Sequence, residues 1–462
     1  MSRRFALAGA ALLGLSACAG GDVEEGRVGF VEGFLGLAVA EEPRATVIGR
    51  DVLSSGGTAA DAAVAMATTL TVTMPGAASL GGGGACVIHE PPRRIRTQLK
   101  NFDLGEGSVA SLMFLADQPD LPGGMPAAVP AMPRGLFALH ARYGAQAWTG
   151  LIGAAENMAR FGSPVSRASL RHLQGMAGVI QADPELARIF SSRSGPGLPK
   201  EGERLVQVEL ATQLGRLRTQ GAGDFYSGQA ARALIEAAPQ VGAEFDLATI
   251  NGFQPQWGET LKVQVGNHEA HFPAGRFIGG EVAARLLEGL KQTQGAGLVD
   301  LARRTLRQTS GITEPSATGF TVVDRDGLAV ACTLTTNGSF GAGRMVPGLG
   351  YVLARPATSA REAGAAQTPF VVFNANNNGF YMAGTGADGA LAPAVLADTI
   401  RRVLVGGEGL REVLSADRPT LAGAGSGLVH GIACPDGLPP NHETCTASPD
   451  PFGAGLALRG EE

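Results

Sequence analysis

Apolar and polar positions repeat with two periods along this chain, and the change of period divides it. Early on the spacing is helical. "PRATVIGRDVLSSGG" places Ala45, Ile48, Val52 and Leu53 on one face, opened by Pro43 and stopped by Gly56 and Gly57. A second helix follows at once: Thr58 with Asp61 has capping-box spacing, and "AADAAVAMATTLTV" is apolar nearly all round. Such a helix belongs at the centre of a molecule, and Pro75 and Gly76 end it. "GLFALHARYG", "WTGLIGAAENMARFG", "ELARIF" and "GGEVAARLLEGL" continue the helical reading.

"LKVQVGNHEAHF" alternates like a strand pair around Gly266-Asn267. After Ala317 the two-residue period dominates. "GFTVVDRDGLAVACTLTT" and "PFVVFNANNNGFYMAG" each read as strand, turn, strand, and "ALAPAVLADTIRRVLVGG" reads as a helix. Helix-rich first part, strand-rich second and no linker between them favour one layered α/β body.

Composition adds a compartment. The chain has 462 residues, is 44% hydrophobic and carries a formal net charge of −5, more negative once Arg3 and Arg4 are removed. An acidic globular chain is a poor nucleic-acid binder. Arg3 and Arg4, the apolar run "FALAGAALLGL" and "LSAC" make residues 1–17 a lipoprotein leader, with Cys18 the lipidated residue and 18–30 a polar tether. The expected location is the bacterial cell envelope, facing the periplasm and anchored by lipid. Cys434 and Cys445 flank a turn-rich loop and are expected to form a disulfide there. Cys86 and Cys332 lie in apolar strand-like runs and read as buried small hydrophobes.

Isolated motifs say little about chemistry. The "GGGG" at Gly81 to Gly84 lacks the Gly-Lys-Ser/Thr ending of a phosphate loop, so close backbone packing is the expectation. "HEAH" at His268 to His271 lacks zinc spacing and reads as a solvated hairpin. No metal or other cofactor is expected. In combination, however, "SSGGTAADAAVAMA", "ASLGGGGACVI", "AAVPAMPRGLFALHARYG", "FGSPVS", "GAGDFYSG", "FTVVDRDGLAVACTLTTNGSFGAGRMVPGLG" and "MAGTGADG" resemble the gamma-glutamyltranspeptidase family, in the same order, from roughly Leu35 to Pro419. That resemblance implies an N-terminal-nucleophile hydrolase fold, an αββα four-layer sandwich. It divides the chain into a large-subunit-like part, 31–316, and a small-subunit-like part, 317–462, in one intertwined body. It also implies a precursor that cuts itself before a threonine, whose freed amine then activates its own hydroxyl against a γ-glutamyl amide.

Position by position the resemblance breaks at the chemistry. Counting back from Asp324, the family's nucleophilic threonine falls on Ala317, its second threonine on Thr318 and its histidine on Gly319. The supporting threonine and asparagine fall on Thr335 and Asn337. The Gly-Gly of the oxyanion hole falls on Ala387 and Asp388, the arginine that clamps the substrate carboxylate on Asp103, and a Ser-Ser pair on Ala365 and Ala366. A methyl group cannot attack a carbonyl, and a carboxylate repels where a clamp should attract. The expectation is an unprocessed, inactive homologue, a single chain whose partner is a small molecule or an envelope protein. The competing expectation makes Thr318 the N-terminal nucleophile. Strand alternation opposes it, because Thr318 should point away from the face of Ala317.

Overall fold

The structure is a computed structural model that describes residues 33–92, 94–96, 101–103, 108–115, 127–275, 278–292, 300, 317–356, 367–418, 427–439 and 441–461. Its strands are β1 (Gly36–Ala40), β2 (Gly83–Glu90), β3 (Arg94–Arg96), β4 (Asn101–Asp103), β5 (Ser108–Phe114), β6 (Ser163–Pro164), β7 (Arg204–Leu205), β8 (Gln256–Gly258) and β9 (Thr260–Val265). Then come β10 (His268–Pro273), β11 (Ala317–Asp324), β12 (Ala329–Thr335), β13 (Thr368–Asn374), β14 (Gly379–Ala387), β15 (Leu428–Leu438), β16 (Thr446–Ser448) and β17 (Leu456–Gly460). One sheet has the order β17-β1-β11-β12-β2-β5-β8 and the other β16-β15-β14-β13-β10-β9. Each sheet contains strands from both sides of residue 317, so the two parts of the chain are interwoven.

The sheets stack face to face. Leu37, Val39, Val323, Ala331, Val371, Phe380, Ala383 and Ile432 fill the space between them. The opposite face of the seven-stranded sheet, with Phe320, Val322, Cys332 and Leu334, shares a core with helices α1 (Pro43–Ser54) and α2 (Ala59–Thr73) and the helices Met132–Tyr143, Trp148–Phe161 and Val208–Gln220. The outer face of the six-stranded sheet packs on the helices Ile278–Gln292 and Ala392–Leu404. This is the four-layer αββα order.

Local chemistry explains the helix starts. Glu42 accepts from the backbone N–H groups of Arg44 and Ala45 and so caps α1, with Pro43 in its first turn. Thr58 and Asp61 form the capping box of α2, and every residue of α2 is buried, as its all-round apolar pattern requires. The tetraglycine run meets close backbone. A Cβ at Gly81 would lie 2.3 Å from the Val352 carbonyl oxygen, and one at Gly84 would lie 2.3 Å from that of Thr333.

Two readings are corrected. Cys86 and Cys332 are not free hydrophobes. They stand directly opposite each other in the β2–β12 ladder and form a disulfide, in addition to the expected Cys434–Cys445 bridge. The "HEAH" strand is not solvated either. β10 lies between β9 and β13, which buries His271 beside Phe373, with Thr260 Oγ1 2.6 Å from its Nδ1 and a Glu269 carboxylate oxygen 3.4 Å from its Nε2. Among the described residues there is no cluster able to hold a metal, and no helix long and apolar enough to cross a membrane.

Candidate functional site

Alternation along β11 decides which side chains share the site. Val323 faces the space between the sheets and Val322 faces the helices, so Ala317, Gly319 and Thr321 point between the sheets and Thr318 and Phe320 point to the helices. Ala317 is fully buried and lies opposite Thr335 in the β11–β12 ladder. Thr335 Oγ1 accepts from the Asn337 backbone N–H at 2.9 Å, and the Asn337 side-chain amide donates to the Arg355 carbonyl at 3.0 Å. The structure therefore brings Ala317, Thr335 and Asn337 together at one end of the sandwich.

The loop after β12 turns through left-handed backbone at Asn337 (φ 56°) and Phe340 (φ 53°). A buried phenylalanine at positive φ is uncommon and needs support. Thr336 Oγ1 and the Phe340 N–H both donate to the Gly76 carbonyl, which pins this loop to the segment after α2.

Thr318 lies on the other face. Its hydroxyl is buried and donates to Glu41 Oε2 at 3.0 Å. Burial, and after it the negative charge of Asp388, raise the Glu41 carboxyl to about 8 against the Thr318 hydrogen bond and Arg171, which pull it down. Nothing in "AVAEEP" marks Glu41 as a partner of Thr318; only the pairing of β1 with β11 brings them together. Ala387 is buried at the end of β14, whereas Asp388 is exposed at φ 56°. Ala387 thus contributes a methyl group here and Asp388 a negatively charged side chain, which would repel negative charge developing nearby.

Asp103 ends β4, where its backbone pairs with Arg94 in a two-stranded sheet that joins neither large sheet. Ala365, Ala366 and Cys18 lie outside the described residues. Sequence reading missed the polar groups flanking the site on its second sheet. A Cβ at Gly319 would lie 2.5 Å from Thr385 Oγ1, so Thr385 packs directly against Gly319. Thr385 in turn pairs with His430 across the β14–β15 ladder. Burial lowers the His430 imidazole to about 4 and keeps it neutral.

Comparison with known proteins matches residues 45–313 and 300–422 to the family described as Gamma-glutamyltranspeptidase. The glutathione hydrolase proenzyme of Pseudomonas aeruginosa is 26% identical over 380 residues, covering 69% of this chain and 67% of that protein. Glutathione hydrolase 3 of Arabidopsis thaliana is 25% identical over 384 residues, covering 70% of this chain and 60% of that protein. The chain thus spans about two thirds or less of the length of these relatives. The crystal structure of cephalosporin acylase from Bacillus halodurans superposes with a TM-score of 0.72 over 94% of this chain and 97% of that chain, at 16% identity, a likeness of fold.

Proposed function

Because the chain belongs to the gamma-glutamyltranspeptidase family, we propose that it is a member that keeps the sandwich and has lost the reaction, an uncut single chain acting by binding. One observation carries the reading. Ala317 sits at the nucleophile position, in register with the retained Thr335, and has no oxygen with which to cut the chain or accept an acyl group. Around it the altered positions agree in direction, since Asp388 adds negative charge where an oxyanion would develop. A γ-glutamyl anilide incubated with the full chain should release no aniline. Turnover that is lost on mutating Thr318 would reject the proposal.

The second reading keeps the enzyme and uses Thr318. Its hydrogen bond to Glu41 supports it, because a carboxylate of raised pKa is a plausible proton acceptor. Against it, that hydroxyl lies on the helix side of β11, away from Ala317, Thr335 and Asn337.

The same proposal places the protein in the bacterial envelope, lipidated at Cys18 and facing an oxidising space. Two disulfides in one chain support that compartment. Metabolic labelling with a palmitate analogue should mark the wild type and not Cys18→Ala. Equal labelling of both would reject the anchor.

A further inference from the structure

The last strand of each large sheet has one partner only. β17 pairs with β1 and β16 with β15, and the two edges lie close to each other. Between them the surface opens into a cavity of about 470 Å³. Cys445 and every residue of β16 line it. Successive side chains of a strand point to opposite faces, so a cavity that touches all of them runs along the strand's edge. β15 covers the other edge, so the cavity follows the free one. One wall is β17 with Leu37 of β1, and the other is the start of the helix Leu410–Ser415. The Cys434–Cys445 bridge ties the beginning of this floor to β15. The place is not the Ala317 end. Leu37 pairs with Val323 near the far end of β11, about 20 Å of extended strand away, so the inference does not rest on whether the chain cuts itself.

A free strand edge presents a row of backbone N–H and C=O groups. Among the described residues, no backbone group outside the two ladders bonds to Thr446, Ala447, Leu458 or Arg459. At β16 that row faces a walled recess whose volume is in the range, roughly 300–1,000 Å³, of sites that hold small ligands. Main-chain hydrogen bonding along the floor is what an extended peptide uses. The walls set its side chains. Ala447 and Ala457 pack against the core between the sheets that contains Leu37, so that side is apolar and narrow. On the other side stand Arg411 and Glu412, both exposed and neither in an ion pair among the described residues. Arg459 is already engaged, by Glu461 at 2.7 Å and by the Phe34 ring. An added strand directs alternate side chains to these two sides.

We propose that the recess along β16 binds an extended peptide by strand addition, one whose residues alternate between small apolar and polar. A fluorescein-labelled pentapeptide alternating valine and threonine would be titrated into the full chain and read by anisotropy. Saturable binding is expected. In strand addition only alternate residues turn their N–H groups to the neighbouring strand. Peptides N-methylated at the valine amides or at the threonine amides should therefore differ more than tenfold in affinity, one set facing β16 and the other facing away. This comparison is read on the wild type and needs no variant. Ala457→Phe, which places a larger side chain in the recess, should weaken binding about tenfold and leave the melting temperature of the free chain unchanged. No saturable binding, equal affinities of the two methylated peptides, or undiminished affinity in Ala457→Phe would overturn the site. Light scattering of the free chain tests the other occupant. A monomer is expected, whereas a dimer that the peptide dissociates would make a second copy the occupant and reject the peptide partner.

Discussion

At one end of β11 the Asp324 carboxylate accepts from the N–H groups of Ala59, Asp326 and Leu328, tying the turn after the strand to the first turn of α2. At the other end Ala317 has a methyl group, at the position where the proposed function puts the family's lost nucleophile. Both positions belong to one resemblance, "FTVVDRDG" read backward to the strand start, and on the function proposed above one residue is kept and the other is not. The difference follows from what each group does. Asp324 satisfies three backbone donors that would otherwise be buried alone, a cost the fold meets whether or not a reaction occurs. A nucleophile contributes nothing to packing that an alanine cannot supply.

Perturbing the scaffold should therefore be costly and perturbing the site cheap. The largest effect is expected at the Cys86–Cys332 bridge, which closes a loop across a sequence separation of 246. Replacing both cysteines by alanine should lower stability by about 5 kcal/mol, against about 3 kcal/mol for the short Cys434–Cys445 loop, as measured by denaturant unfolding. If the two pairs cost the same, chain entropy is not what the bridges supply. Next comes Asp324→Ala, expected to cost about 3 kcal/mol by leaving three N–H groups unpaired. A loss close to zero would remove the contrast on which the comparison rests.

The pH response is smaller and has a defined sign. Burial raises Glu41 to about 8 and Asp324 to about 7, so near neutral pH the folded chain holds protons that the unfolded chain has released. Their contribution is lost progressively from about pH 4.5 to about 8, so stability should fall above about pH 6.5, where the histidines no longer offset that loss. His89, His172 and His430 act oppositely. Lowered to about 4 by burial, they make stability rise with pH up to about 6.5, where the unfolded histidines become neutral too. The melting temperature should peak near pH 6, and Glu41→Gln should flatten the alkaline limb. A melting temperature still climbing at pH 8 would contradict both assignments. Smallest of all, Ala317→Thr should change stability by no more than about 1 kcal/mol, the low end of overpacking a core site. It should not turn over a γ-glutamyl anilide, because Ala387 and Asp388 remain. Robust turnover would mean that the loss is confined to one residue.

Much of the scaffold was legible because its signals are local. Pro43 and the Thr58–Asp61 box announced α1 and α2, the spacing around Gly266-Asn267 announced a hairpin, and the turn-rich loop announced the Cys434–Cys445 bridge. The Cys86–Cys332 bridge was not legible, since "ACVIH" and "AVACTL" carry no mark of their register and only the β2–β12 pairing sets the two sulfurs together. The solvated reading of "HEAH" failed for the same reason, because a hairpin does not reveal whether another strand covers its outer side. At the Ala317 end the resemblance supplied an expectation of loss, on which the proposed function rests. The surroundings were not legible, because Glu41, Thr385 and His430 come from strand ends and strands far apart in the chain.

The central claim, that the chain stays whole because Ala317 cannot cut it, is tested most directly by intact mass spectrometry of the purified mature protein after full reduction. Reduction is essential, since Cys86 and Cys332 lie on opposite sides of residue 317 and their bridge would hold two fragments together. The account predicts one polypeptide that runs uninterrupted through residues 316–318. A fragment beginning at Ala317 or Thr318 would contradict it, and one beginning at Thr318 would return the chain to the enzymes of its family.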